Sequence, residues 1–262
     1  MPSEHSSSHQ NLSCYTDIRK RACQIAVRFP TPDFFRDFSD AVSLSEKTFQ
    51  TDPIVVRLYA FVAEKLENDF GHGMEHAVKV TRDAGALTLI EGKAAGCSDD
   101  FINQRLIISQ CAGLLHDIRR KEKNHAAKGA EYARNLLKNY PFSPDEAEDI
   151  CQAIQNHEAF KTPLKIKTPE GLLVSDCLYD ADKFRWGPDN FTATVWDMVS
   201  FSKTPLSEFI AFYPKAMERL AKIKDTFRTR TGKKYGPRFI DTGLAIGEEL
   251  YKVITSEFIR FI

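Results

Sequence analysis

In "MEHAVKVTRDAGALTLIEG", residues 74–92, the residues His76, Val80, Ala84 and Leu87 fall at i, i+4, i+8 and i+11, one face of an α-helix. The same helical stripe returns through the rest of the chain. "DFINQRLIISQCAGLLHDI" repeats it with Ile107, Cys111, Leu114 and Ile118, and carries His116 and Asp117 in its last turns. "HAAKGAEYARNLLKN" sets His125 on the face of Gly129, Tyr132 and Leu136. In "SPDEAEDICQAIQNHEAF", Ser143 and Glu146 make a capping box around Pro144, and the face Ala147, Ile150, Ile154 runs on to His157. "GLLVSDCLYDADKF" aligns Val174, Leu178 and Asp182. Strand signals are poor throughout, so the chain is predicted to be all-α.

Residues 1–12, polar and Ser-rich, are expected to be a disordered tail. Residues 13–69 read as an N-terminal helical extension, built from "YTDIRKRACQIAVRF", "DFFRDFSDAVSL" and "DPIVVRLYAFVAEKLEND". At the other end, "NFTATVWDMVSF", "PLSEFIAFY", "PKAMERLAKIKDTF" and "FIDTGLAIGEELYKVITSEFIRFI" predict further helices packed on the same core. Neither a repeat nor a Gly/Ser linker divides the chain.

Lysine plus arginine equals aspartate plus glutamate at 36 each, so no global field draws the protein to nucleic acid or to anionic lipid, and neither is expected as a partner. The first dozen residues lack an apolar signal-peptide core, and no apolar run approaches the roughly 18 residues of a membrane span. A cytoplasmic location is therefore expected. The six cysteines are widely spaced with no C-x-x-C pair, which speaks against a zinc ribbon or a redox dithiol and for buried free thiols.

Of seven histidines, His5 and His9 lie in the polar tail, and the other five (His72, His76, His116, His125, His157) all fall between residues 72 and 157. A single histidine on an apolar helix face is more often a hydrogen-bonded core residue than a ligand. Four on separate helices, all facing inward, would each need a polar partner. Asp117 and Asp182 could not be buried there as unpaired anions. A shared divalent cation satisfies all of them at once.

The ordered pieces "GHGMEH", "HD" at 116 and 117, "NHAAKG", "NHEAF" and "DADKF" resemble the HD-domain superfamily of metal-dependent phosphohydrolases, from Gly71 to Phe184, with weaker resemblance through "RTRTGKKYGPR". The resemblance implies a single HD-domain helical core over residues 70–185, with residues 186–262 as C-terminal helices packed on it. It also implies, residue by residue, that His76, His116, Asp117 and Asp182 hold one metal. Where the superfamily is binuclear, residues at the positions of His125 and His157 hold a second, and the Asp of the pair, here Asp117, bridges the two. A carboxylate can bridge because it has two oxygens. "DCLYDAD" also offers Asp180, on the apolar face of Leu173, Cys177 and Phe184; the family pattern of an Asp after a small residue favours Asp182. The eight-residue step from Asp117 to His125 is a departure, shorter than the family pattern.

In some relatives the residue at the position of His72 donates a proton to the leaving group, and in others it is a hydrogen-bond partner. The resemblance thus offers His72 as a catalytic acid, beside Asp117. Arg119, Arg120 and Lys121, directly after the HD pair, and Lys183, beside Asp182, are the candidates for holding substrate phosphate. The expected function is hydrolysis of a small phosphorylated compound (a nucleotide, a cyclic phosphate or a phosphomonoester) by a metal-activated water. Mixed His and carboxylate ligands suit one or two ions of Mn, Fe, Co, Ni or Zn, with Mg recruitable through substrate phosphates. Two alternatives stay open: a di-iron oxygenase of the same superfamily, and a non-catalytic nucleotide-sensing module. The apolar C-terminus "EFIRFI" leaves a homo-oligomer open as well.

Overall fold

The computed structural model of the protein describes residues 4–66 and 73–259, with side chains from residue 14 onward. Among these residues the chain forms twelve α-helices and no strand, an all-α fold. The N-terminal third holds α1 (Glu4–Ala26), α2 (Asp33–Asp37), α3 (Ser39–Thr51) and α4 (Pro53–Lys65). Helices α5 (Met74–Ala94), α6 (Asp99–Leu115), α7 (His125–Leu136), α8 (Pro144–Gln155) and α9 (Pro169–Phe184) follow. The chain ends with α10 (Val195–Ser202), α11 (Leu206–Ala221) and α12 (Arg230–Glu257).

Local chemistry sets many of the boundaries. Asp52 caps α4 by accepting from Ile54 N at 2.9 Å and Val55 N at 3.1 Å, with Pro53 at the first position. Ser143 and Glu146 form the expected capping box of α8. Helix α5 is the central element, packed against α6, α9 and α3, while α8 joins α7 to α9. The α5–α6 contact is close because Gly113 lies against the backbone of Thr81: a Cβ at Gly113 would stand 2.7 Å from Thr81 Cα.

One apolar cluster of buried side chains runs from Cys14 in α1 to Ile254 in α12, so the terminal helices share the core of the middle ones. Helix α12 packs on α9, and α1 packs on α12. Phe184, the last residue of α9, stacks on Phe239 of α12 with ring centroids 4.2 Å apart and planes 5° from parallel, and Phe34 of α2 meets Phe184 edge-on at 5.2 Å. Each such buried ring contributes about 2–3 kcal/mol. Together they anchor the end of α9, next to Asp182 and Lys183.

Several boundaries differ from the expected ones. Helix α1 begins at Glu4, inside the stretch 1–12 assigned to a disordered tail. Once the buried turn around Cys14 and Ile18 has nucleated the helix, each added residue gains a backbone hydrogen bond at little further cost. The expected helices over 205–213 and 214–227 are joined as α11 through Pro214, with a short 3₁₀ turn after it. Helix α12 starts at Arg230 rather than after the basic stretch, and passes through Pro237. Thr229 caps it by accepting from Gly232 N at 2.8 Å, and burial of Tyr235, Phe239 and Ile240 offsets the hydrogen bond that proline removes. The basic residues Arg230, Lys233, Lys234 and Arg238 face outward, as charge runs usually do. Among the described residues no helix is long and apolar enough to cross a membrane.

Candidate metal centre

The candidate ligands cluster at helix ends, not along helix faces. His76 stands in the first turn of α5, and His116 is the C-cap of α6, so the HD pair begins where the helix stops. His125 is the first residue of α7, set by Asn124 in the left-handed conformation (φ 58°, ψ 43°), which asparagine tolerates better than most residues. His157 lies beyond Asn156, the C-cap of α8. The Asn156 side chain fastens that turn to the next loop, donating to Leu164 O at 3.0 Å and accepting from Leu164 N at 2.8 Å.

Two groups of donors result. In the first, His76 Nε2 lies 3.2 Å from both His116 Nε2 and Asp182 Oδ1. In the second, His125 Nε2 lies 3.2 Å from His157 Nε2, and the two nitrogens are 3.5 Å and 3.4 Å from Asp117 Oδ1. The other oxygen of Asp117, Oδ2, turns to the first group, 3.3 Å from His116 Nε2 and 3.9 Å from His76 Nε2. His76, His116 and Asp182, and separately Asp117, His125 and His157, are spaced so that each trio could hold a metal ion.

The chemistry of these donors fits cations. His116 Nδ1 donates to Gly113 O at 2.7 Å and His157 Nδ1 to Ile154 O at 2.6 Å, leaving each Nε2 lone pair to point into the cluster. Metal–ligand bonds of about 2.1 Å place neighbouring ligand atoms roughly 3–3.5 Å apart, the spacing of most donor pairs here, with His76 Nε2 to Asp117 Oδ2 at 3.9 Å and His116 Nε2 to Asp182 Oδ1 at 4.0 Å the wider ones. The charge balance points the same way. Burial alone would lower the His116 pKa, but Asp117 and Asp182 outweigh it and raise it. Burial would raise the Asp182 pKa, but Lys183 and the two imidazoles hold it well below the usual carboxylate range. Burial pushes His125 down to about 3, which keeps that imidazole neutral, with Nε2 accepting from Arg120 Nη1 at 2.9 Å. The carboxylates of Asp117 and Asp182 thus draw positive charge to the first group, a proton on His116 in the metal-free protein and, in its place, a metal ion that would take the imidazole in its neutral form.

Asp182 and Asp180 behave differently, although both are buried on α9. Asp182 offers Oδ1 to His76, while its Oδ2 accepts from Lys183 Nζ. Asp180 faces the start of α12, accepting from Arg228 N at 2.8 Å, Thr229 N at 2.8 Å and Thr229 Oγ1 at 2.7 Å.

Beside the donor groups opens a cleft of about 140 Å³ lined by Asp117, Arg120, His157, Glu158, Asp182, Lys183, Trp186 and Arg219. Two of the four expected phosphate-binding residues, Arg120 and Lys183, line it. Arg119 does not: its guanidinium stacks on the Tyr132 ring at 4.3 Å and pairs with Glu122 at 3.3 Å, neither of which lines the cleft. Lys121 is exposed on the same turn and is not part of the cleft wall. His72 lies outside the described residues. Arg219, from α11, and Trp186, just past α9, were not singled out by the sequence; a lone arginine on an amphipathic helix carries no local signal of what it faces. A second cleft, about 250 Å³, lies on the other side of His76 and includes Lys79, Arg185 and Asp189. Arg185 is buried there between Asp83 and Asp189.

Residues 73–186 match the family model of the HD domain, a stretch that takes in α5 to α9 and all six donor residues. Over that region the chain is similar to the HD domain. A solved structure described as a predicted HD superfamily hydrolase, from an uncultured Thermotogales bacterium, is similar to this chain at 21% identity, covering 82% of this chain and 95% of that one with a TM-score of 0.45. No curated protein matches the chain significantly.

Proposed function

We propose that the protein is a metal-dependent hydrolase, and more narrowly a phosphohydrolase of a small phosphorylated compound. The observation that carries the reading is Asp117, whose two oxygens each face a separate trio of donors. In this reading His76, His116, Asp182 and Asp117 hold one divalent ion, and Asp117, His125 and His157 hold a second. Bound there, such ions supply an activated water and polarise a phosphoryl oxygen.

The chain's own residues would do the rest. Lys183 is buried, held against Asp182 and within 4.9 Å of the Tyr179 ring centroid, so its ammonium is fixed at the cleft wall. With Arg120 and Arg219 it would orient and neutralise the substrate anion. Three cationic side chains around one cleft suit a phosphate ester better than dioxygen, which carries no charge to bind. They thus favour the hydrolase over a di-iron oxygenase. The complete donor set likewise argues against a purely sensory module.

The test is a screen of phosphomonoesters, cyclic phosphates and nucleotides with the protein reconstituted in Mn or Co. Phosphate release that disappears with a chelator and in His116→Ala is expected. A folded, fully metallated protein that hydrolyses nothing in the panel yet takes up oxygen with added iron would replace this reading with the oxygenase; inactivity in both would leave the sensor.

A further inference from the structure

The Arg120 guanidinium already occupies part of the second donor group. Its Nη1 lies 2.9 Å from His125 Nε2 and 3.8 Å from Asp117 Oδ1. The same nitrogen and the same oxygen, with His157 Nε2 at 3.2 Å and 3.4 Å from them, make up that group. A guanidinium has no lone pair to offer and does not lose its proton in proteins, so Arg120 donates and His125 Nε2 accepts. An unprotonated imidazole nitrogen has one lone pair in the ring plane. It serves Arg120 or a metal ion, not both.

The first donor group is arranged otherwise. Its neighbouring cation, Lys183, holds Asp182 Oδ2 and leaves Oδ1 facing His76. Its charge therefore supports the ligand from outside instead of sitting on a ligand atom.

We propose that Arg120 is an intramolecular competitor for the second metal ion: the protein holds one ion in the first group and admits another only when the guanidinium releases His125. The proposal rests on the reading of both trios as metal sites. Release is sterically open, because the Arg120 side chain is 32% exposed on the turn between α6 and α7 and borders the cleft. An anion in the cleft, beside Lys183 and Arg219, gives the guanidinium an alternative partner. The second ion would then enter most readily when the cleft is filled.

The experiment is a calorimetric titration of the metal-free full-length chain with Mn(II), checked by elemental analysis after dialysis. Wild type should take up one ion tightly and a second weakly. Arg120→Gln, which removes the charge and its repulsion of an incoming cation, should bind the second ion about 10-fold or more tighter, with the first affinity unchanged. In the Arg120→Gln background, His125→Gln should abolish the gain. A second-ion affinity in folded Arg120→Gln equal to or weaker than wild type overturns the proposal, and so does a gain that survives His125→Gln. The underlying reading fails separately: if wild type binds no ion, or binds it as well in Asp182→Ala, the trios are not metal sites, and this proposal goes with them.

Discussion

Asp180 and Asp182, one residue apart on α9, face opposite ways: Asp182 Oδ1 lies 3.2 Å from His76 Nε2, whereas both oxygens of Asp180 accept hydrogen bonds from Arg228 and Thr229 at the start of α12. One carboxylate belongs to the donor cluster and the other ties the C-terminal helix to it. The two substitutions should therefore separate. Asp182→Ala is expected to weaken metal binding by more than about 100-fold, beyond the 10- to 100-fold usual for outer partners. Asp180→Ala should leave metal affinity nearly unchanged but cost about 2–4 kcal/mol of stability by orphaning three donors, the two on Thr229 buried and the Arg228 N–H part-buried. Metal titration and denaturant unfolding of both variants check this, and the reverse pattern would reassign the ligand.

Asp117→Ala should lose most bound metal from both trios at once, since one carboxylate faces each of them. His157→Ala, by contrast, should remove only the second ion. Elemental analysis of the purified variants distinguishes the two, and full occupancy in Asp117→Ala would refute the bridging role.

Arg219→Ala should raise KM for a phosphorylated substrate by about 10-fold, the worth of one charged hydrogen bond, with kcat and metal content little changed. The Arg219 guanidinium stands 5.5 Å from the Phe160 ring centroid, and the residue lines the cleft without belonging to either donor trio. Arg119→Ala, at a residue that does not line the cleft, should leave KM as it is. Steady-state kinetics on whichever ester the screen identifies decides the matter.

Gly113→Ala should destabilise the fold by about 1–3 kcal/mol, because the added methyl meets Thr81 Cα and the α5–α6 contact must open. The same shift would move the carbonyl that orients His116. Metal affinity should consequently fall together with the unfolding midpoint. Normal metal affinity in a destabilised Gly113→Ala would show that His116 is oriented independently of that contact.

His72→Ala, if the residue is the general acid that the family resemblance offers, should keep its metal and lose about 10²- to 10⁴-fold in rate on substrates with alkoxide leaving groups. An activated aryl phosphate, whose leaving group needs no proton, should be cleaved nearly as fast as by wild type. Loss of metal in the variant would instead make His72 a ligand.

The all-α architecture was legible from short-range sequence because helix periodicity and capping are local: the stripe through Val80, Ala84 and Leu87, or the Ser143 to Glu146 box, needs no distant partner to be read. The HD pair and its companion histidines were legible for the same reason, as residue types costly to bury alone. Helix periodicity alone did not separate Asp180 from Asp182, because α9 is buried on almost every side from Val174 to Phe184 and its apolar stripe selects no direction; only the resemblance, with its Asp after a small residue, favoured Asp182. Nor could the sequence tell Arg120, which enters the second donor group, from Arg119, which leaves it for Tyr132. Adjacent residues in a turn diverge by backbone geometry that composition does not encode. Arg219 reaches the cleft because α11 packs on α12 and α12 in turn on α9, contacts set by the shared apolar core across long stretches of chain. What is local was written in the sequence; which side chains converge was decided by packing between helices far apart in it, where burial energy and not residue spacing chooses the neighbours.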